Sequence, residues 1–329
     1  MEKLKEFKTN LEERMESASN IVIIPHEVID FDAIASSIGI ALFAKRMKKN
    51  CSIIVNDPSY RMDHGVQLII NEAKKELSIV NYEKYLQTKE ENDLFIFMDV
   101  NKKKLVCLKD ELDNKNNNII IDHHEIDENS ISSTLSYIDT SASSTSEIVT
   151  KLLGLSKMKY SPEVANCLLA GIYLDTNKLT KNVTPEIMKV VTRLLENGAN
   201  MNVVTEWFSE DFNSERRVYE LLSRAQIITY SIGVIIAEEG NEYTREELAK
   251  AADKLLTFKL DSAYAIGEID ENVISISARS KENVDVGKIM QELGGGGNQY
   301  SAATKIENST VEEVGKKLIK TIQPPYYLK

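Results

Sequence analysis

The stretch Ile21-Val22-Ile23-Ile24-Pro25-His26-Glu27-Val28-Ile29-Asp30-Phe31-Asp32-Ala33 runs an apolar, β-branched strand directly into one imidazole and two carboxylates. A second stretch repeats the arrangement, with Ile119-Ile120-Ile121 leading into Asp122-His123-His124. Only four histidines occur in the 329 residues, and three of them lie in these two clusters. Open α/β sheets hold their ligands at the carboxyl ends of the strands, and mixed imidazole and carboxylate donors suit divalent first-row metals. The pattern points to a polynuclear metal site on the rim of a parallel sheet, and so to metal-assisted hydrolysis.

Two more carboxylates are placed in the same way. Leu94-Phe95-Ile96-Phe97-Met98 is an apolar strand ending in Asp99, and Ala170-Gly171-Ile172-Tyr173-Leu174 delivers Asp175 and Thr176 after a helix. Taken singly, each aspartate is equally well explained as a cap or turn residue. With His26, Asp30, Asp32 and His123 they make six ligands, enough for two metals if one carboxylate bridges. A metal pair about 3.5–4 Å apart can clamp both the attacking and the leaving oxygen of a phosphoryl transfer. Zinc alone fits so carboxylate-rich a set less well, and calcium is a poor match for imidazole.

Composition narrows the class. The length predicts two domains, and 42% hydrophobic residues with all types well mixed reads as a soluble globular protein. A net charge of -11 argues against binding long nucleic acid through the overall field, so a nucleotide partner should be small. Cys51, Cys107 and Cys167 are odd in number and far apart, which fits reduced thiols in a cytoplasm; no C-x-x-C spacing supports zinc. No apolar run approaches the roughly 20 residues of a membrane span. Met1 to Ser17 reads as an amphipathic helix whose stripe of Leu4, Phe7, Leu11 and Met15 packs on the first domain.

Up to about residue 200, β-branched runs (Ile21–Pro25, Ser52–Asn56, Leu94–Asp99, Asn118–Asp122) alternate with helical patterns (Ala33–Lys48, Val66–Lys75, Ser146–Leu155, Pro162–Leu174, Pro185–Glu196). Alternation of this kind implies an α/β fold, a largely parallel sheet with helices on both faces. Asn197-Gly198 ends the last of these helices. A helical pattern from Val203 to Ala225 reads as a connector over 201–225, and the longer strand runs Ile227–Glu238, Ser262–Ile269 and Val273–Arg279, with a helix over Thr244–Leu256, imply a smaller α+β domain over 226–329. Ser144-x-x-Glu147 has the form of a capping box. The four glycines Gly294–Gly297 leave backbone N–H groups open to a phosphate or base. Arg279 would add a charge-assisted contact that glycine cannot make.

His26-x-x-x-Asp30-x-Asp32-Ala33, Asp99, Asp122-His123-His124, Gly171-Ile172-x-x-Asp175-Thr176 and Gly294–Gly297 together resemble the ordered motifs of the DHH phosphoesterase superfamily, in the branch carrying the DHH-associated C-terminal domain. The similarity runs from about Ser19 to Ile322. Closer phrases, Ala142–Glu147, Ile276–Ser280 and Gly294–Thr304, resemble the cyclic di-AMP phosphodiesterases, which hydrolyse the cyclic dinucleotide to pApA with manganese.

The resemblance implies two Mn2+ ions, one on His26, Asp30 and Asp99 and the other on Asp32, Asp99, His123 and Asp175, with Asp99 as the bridge. It implies catalysis by a hydroxide activated by both ions, with Asp122 orienting an imidazole and His124 contacting the scissile phosphate or assisting the leaving oxygen. It places substrate recognition on Arg279, Ser280, Gly295, Gly296, Gly297 and Asn298 of the second domain, facing the metals across a cleft, and on Ser144. Four positions depart from the family pattern: Asn298 stands where histidine is usual, Lys181–Thr184 where an arginine-threonine loop is common, Ile29 where proline precedes the first aspartate, and Asn101 where relatives often carry histidine. Asn298 is read here as a substrate contact, with a turn cap as the alternative. Hydrolysis of short linear oligonucleotides or adenosine 3′,5′-bisphosphate, and a slowly turning over nucleotide sensor, remain open readings. So does the oligomeric state, monomer or homodimer.

Overall fold

The computed structural model describes residues 2–56, 62–108, 112, 115–209, 211–229, 231–281 and 283–322. They form two compact units, Met1–Ser209 and Glu210–Lys329. In the first unit β1 (Ile21–Pro25), β2 (Cys51–Ile54), β3 (Ser78–Val80), β4 (Leu94–Met98), β5 (Asn118–Asp122) and β6 (Leu135–Ile138) make a six-stranded sheet in the order β3-β2-β1-β4-β5-β6. Every pairing is parallel. The short strands β3 and β6 close the two edges; they are too brief to show as apolar runs in the sequence.

Strand alternation divides the core. Ile21, Ile23, Leu94, Ile96, Met98, Ile119 and Ile121 face one side, where they meet α1 (Glu2–Ser17), α2 (Phe31–Arg46), α3 (His64–Ala73), α5 (Thr145–Leu155), α6 (Pro162–Asp175), α7 (Pro185–Glu196) and α8 (Met201–Trp207). Val22, Ile24, Phe95, Phe97 and Ile120 face the other side, covered by α4 (Tyr82–Leu86) and by loop residues such as Val106, Leu108 and Ile131. The expected stripe of Leu4, Phe7, Leu11 and Met15 is buried along α1. Gly198 follows α7 at φ 92, the left-handed conformation that asparagine-glycine endings favour.

The second unit holds α9 (Phe212–Ser223), α10 (Arg245–Leu256), α11 (Val286–Glu292) and α12 (Val311–Thr321) with β7 (Ala225–Thr229), β8 (Ile232–Ile236), β9 (Ser262–Asp270), β10 (Val273–Ser280), β11 (Gly296–Gly297) and β12 (Ser301–Glu307), in the order β11-β12-β10-β9-β8-β7. Only β8 and β9 pair in parallel; the other pairings are antiparallel. The single run expected over 227–238 is a hairpin: Ala225 lies opposite Ile235, so the chain reverses between Thr229 and Ile232 without a glycine or proline to announce it. The helix expected over 203–225 is two helices. Phe208 ends α8 against Phe31, ring centroids 4.1 Å apart, and Asp211 starts α9 by accepting from Ser214 N. Among the described residues no helix is long and apolar enough to cross a membrane.

One packing detail of the first unit bears directly on the site. A Cβ on Gly171 would lie 2.2 Å from Ser146 Oγ and 2.7 Å from Asp32 Oδ1, so only glycine lets α6 approach α2 and α5 this closely. Gly171→Ala should destabilise the first unit by about 1–3 kcal/mol through overpacking. Trp207 is the chain's single tryptophan and lies in that unit, so urea unfolding followed by its fluorescence checks this; an unchanged midpoint would refute the close approach.

Candidate metal centre

The strand order reverses between β1 and β4, the switch point at which doubly wound sheets open a crevice for ligands. His26 follows β1, Asp99 follows β4 and Asp122 ends β5, so the register alone gathers three of the expected residues at one rim. Asp30 is the N-cap of α2. Its Oδ1 accepts from Asp32 N and Ala33 N, both at 3.0 Å, which leaves Oδ2 turned to His26 Nε2 at 3.5 Å. Asp32 is wholly buried in the first turn of the same helix and accepts Thr145 N at 2.7 Å and Ser146 N at 2.8 Å. These are free amides of the α5 N-terminus, where a helix presents donors and positive potential to an anion.

Asp99 occupies the centre. Its backbone is left-handed, φ 58, and its side chain is 3% exposed. Oδ2 lies 3.5 Å from His26 Nε2 and Oδ1 lies 3.5 Å from His123 Nε2; Thr145 Oγ1 donates to Oδ1 at 2.9 Å. Asp175, at the end of α6, brings Oδ2 to 3.4 Å from His123 Nε2. Among the described residues three ligand groups result, His26/Asp30/Asp99, Asp32/His123/Asp175 and Asp99/His123/His124, each with its donor atoms within 4.8 Å of one another; the first two contain the six expected ligands. All six expected metal positions are thus brought together, with one oxygen of Asp99 toward each imidazole.

The electrostatics show what such a site requires. Burial, reinforced by Asp32, pushes the Asp99 carboxyl well above the usual range. Burial followed by Asp32, Asp99 and Asp30 pushes Asp175 up to about 10, and burial raises Asp32. Burial opposes charge on His26 as well, yet Asp30 and Asp99 outweigh it and raise the imidazole to about 10. Asp30 moves down in spite of burial, because His26 and two backbone amides favour its anion. Without cations the cluster therefore keeps protons, with the His26 imidazolium serving as an internal counter-ion. A carboxylate-rich pocket holding two imidazoles fits divalent metal ions, which would displace those protons.

His124 lies beside the cluster. Its Nδ1 is 2.8 Å from Asp122 Oδ1, an oxygen that also accepts His123 N at 2.8 Å and His124 N at 3.2 Å. Asp122 is completely buried and raises the pKa of His124, whose side chain is 55% exposed.

The expected substrate residues are engaged in other ways. Ser144 is wholly buried as the N-cap of α5, accepting from Glu147 N at 3.0 Å. The capping box is shifted by one residue, because Glu147 accepts from Ser143 N and Ser143 Oγ instead of closing on Ser144. In the second unit Arg279 Nε donates to Asp253 at 2.9 Å and Nη1 to its own neighbour's carbonyl, Ala278 O, while Ser280 Oγ donates to Gln299 O at 2.7 Å. Gly295 is held against Ala303, where a Cβ would lie 2.2 Å from the carbonyl; Gly296 and Gly297 form the edge strand β11, with open space at Gly296. Asn298 Oδ1 accepts from Tyr300 N and Ser301 N, both at 2.9 Å, the turn-capping arrangement. Thr145 and Ser146 were not legible as site residues: they sit beside a visible cap, but nothing local says that a carboxylate 113 residues away meets their amides.

The chain is similar to known proteins over both units. Residues 20–172 match the DHH family, N-terminal domain, and residues 229–323 match the DHHA1 domain; the first match ends just short of Asp175. The chain is 30% identical over 315 residues to a membrane protein–large ribosomal subunit bL9 fusion protein of Onion yellows phytoplasma (strain OY-M), covering 93% of this chain and 37% of the relative. It is 29% identical over 325 residues to the cyclic-di-AMP phosphodiesterase PdeA of Listeria monocytogenes serotype 1/2a (strain 10403S), covering 95% of this chain and 48% of the relative. The chain thus spans half or less of the length of these two relatives. In fold it resembles the crystal structure of an exopolyphosphatase-related protein from Bacteroides fragilis, with a TM-score of 0.75 at 22% identity, covering 96% of each chain. With a DHH domain built around the six-ligand cluster and a DHHA1 domain following it, the chain belongs to the DHH family.

Proposed function

We propose that this protein is a metal-dependent phosphodiesterase that hydrolyses cyclic di-AMP to pApA using two Mn2+ ions. The observation that carries the reading is the division of Asp99 between His26 and His123, one carboxylate oxygen to each at 3.5 Å. His26, Asp30 and Asp99 would hold one ion and Asp32, Asp99, His123 and Asp175 the other. When bound, such a pair supplies neutralisation of phosphate charge and activation of water.

The protein's own residues do the rest. Asp30 and Asp32 are held in place by backbone amides of α2 and α5, so their free edges need no reorganisation when ligand arrives. Asp122 Oδ1 accepts a hydrogen bond from Nδ1–H of His124 and keeps that ring in one orientation. A protonated His124 then gives the proton on Nε2 to the departing ribose 3′-oxygen, leaving the 5′-phosphate of pApA. Manganese is favoured over magnesium by the two imidazoles, and the cyclic dinucleotide by the chain-wide similarity to PdeA. Adenosine 3′,5′-bisphosphate and short linear oligonucleotides present the same ester chemistry. A second reading, nucleotide binding with slow turnover, is favoured by the engagement of Arg279 with Asp253 and of Asn298 with its own turn.

Purified protein with Mn2+ should convert cyclic di-AMP to pApA faster than it consumes pApA or the bisphosphate, read by chromatography. Preference for the bisphosphate would overturn the substrate assignment, and tight binding with negligible turnover would establish the second reading. Asp99→Ala should abolish activity with every metal, because one carboxylate serves both groups, whereas His26→Ala should be partly rescued by excess Mn2+. Near wild-type turnover in Asp99→Ala would refute the shared ligand.

Proton linkage gives a test that needs no substrate. His26 and Asp175, both raised to about 10, contribute stability that is fully present below their ordinary pKa values and is lost as pH rises toward about 10; the raised Asp32 and Asp99 act in the same direction. Metal-free protein should therefore unfold progressively more easily between about pH 6 and about pH 9. Mn2+ should release protons on binding and restore about 2.7 kcal/mol at a hundredfold excess over Kd. Calorimetry in buffers of different ionisation enthalpy reads the protons directly; no release would contradict the protonated cluster.

A further inference from the structure

The peptide carrying His123 and His124 is gripped from its carbonyl side by a residue that is neither a ligand nor ionisable. Asn101 is 1% exposed and lies two residues beyond Asp99. Its Nδ2 donates to His124 O at 3.1 Å and to Glu125 O at 3.3 Å, and its own carbonyl accepts Ile131 N at 2.7 Å. Its Oδ1 accepts Ser130 Oγ at 3.2 Å, which fixes the amide's orientation, since the flipped rotamer would set Oδ1 against two carbonyl oxygens.

Ser130 extends the clamp. Its hydroxyl accepts Asp127 N at 3.0 Å and its amide donates to Asp127 O at 3.1 Å, while Asp127 Oδ1 accepts Asn129 N at 2.8 Å. Lys102 reaches Asp127 Oδ2 at 2.7 Å. The 127–130 turn is thereby folded on itself and tied to the end of β4 through residues 101 and 102. Asp122 holds the amides of His123 and His124 and the His124 ring, whereas Asn101 holds the carbonyls that follow. With His124 half-exposed and Glu125 and Ile126 exposed, neither grip alone fixes the peptide planes between them.

We propose that Asn101 is a positioning residue for the phosphodiesterase reaction: by binding two consecutive carbonyls it sets the His124 ring relative to Asp99. The inference rests on the proposed hydrolysis in assigning the proton transfer to His124, but the clamp itself is measurable without it. A buried amide that satisfies two carbonyls cannot be replaced by an apolar side chain of the same size without freeing both.

The test uses Asn101→Leu, which keeps size and removes every polar group, and Asn101→His, which returns one ring donor. With cyclic di-AMP and Mn2+, Asn101→Leu should lower kcat by about 10- to 100-fold at nearly unchanged KM and wild-type manganese content, and Asn101→His should recover part of the loss. In the metal-free proteins, amide hydrogen exchange across 124–131 should speed up at least about tenfold in Asn101→Leu while β4 and β5 stay protected. Unchanged exchange overturns the clamp, whatever the substrate proves to be. Faster exchange with unchanged kcat, or a kcat loss that merely follows lost manganese, overturns the positioning role. If wild type hydrolyses neither cyclic di-AMP nor bis(p-nitrophenyl) phosphate, the proposed function fails instead, and the exchange result still decides the clamp.

Discussion

A single carboxylate, that of Asp99, is the point on which the site depends. It leaves β4 in a left-handed backbone conformation that costs on the order of 1 kcal/mol for a residue other than glycine, and in return each oxygen meets a different imidazole. Thr145, from the start of α5, donates to one of those oxygens and gives its amide to Asp32. The strand end and the helix start are therefore coupled through one side chain. A shift of either would misplace both ligand groups together.

So many buried carboxylates in one place would be prohibitive if all were ionised. Like charges about 4 Å apart repel by about 4 kcal/mol at an effective dielectric of about 20, more than the stabilisation of any one of the hydrogen bonds around them. The molecule answers in two ways. Asp30 is given to a helix N-terminus whose amides, with His26, favour its anion, while burial pushes Asp32, Asp99 and Asp175 toward their protonated forms, Asp32 in spite of the two α5 amides it accepts. Divalent cations would supply the positive charge that lets those three ionise.

The second unit follows a different logic. Its glycines serve close backbone approach, as where Gly295 lies under Ala303, and its conspicuous polar side chains are already used within the unit, Arg279 by Asp253 and Asn298 by its own turn. An arginine in an ion pair can be recruited only if a ligand offers more than the aspartate it leaves, and a phosphate has the charge to do so. Asn298 carries no positive charge to offer a phosphate, and its amide oxygen is suited to hold the turn.

The candidate ligands were legible in the sequence because each lies at the end of a strand or helix, or at the start of one, with a strong local pattern. Apolar runs reveal β1, β4 and β5, a parallel sheet must expose the residues that follow them on one rim, and histidine is rare enough in this chain for its position to be informative. Short edge strands, the hairpin hidden in 227–238 and the break between α8 and α9 escaped because periodicity over a few residues is weak and turns need not contain glycine or proline. What only the tertiary structure decided is the support of those ligands. The approach of α5 to Asp32, the fit of Gly171 against Ser146 and the grip of Asn101 on the His124 peptide join residues far apart in the chain by hydrogen bonds and contacts of specific geometry. Local residue preference carries no record of such pairings, because the partner is chosen by the fold and not by the neighbours along the chain.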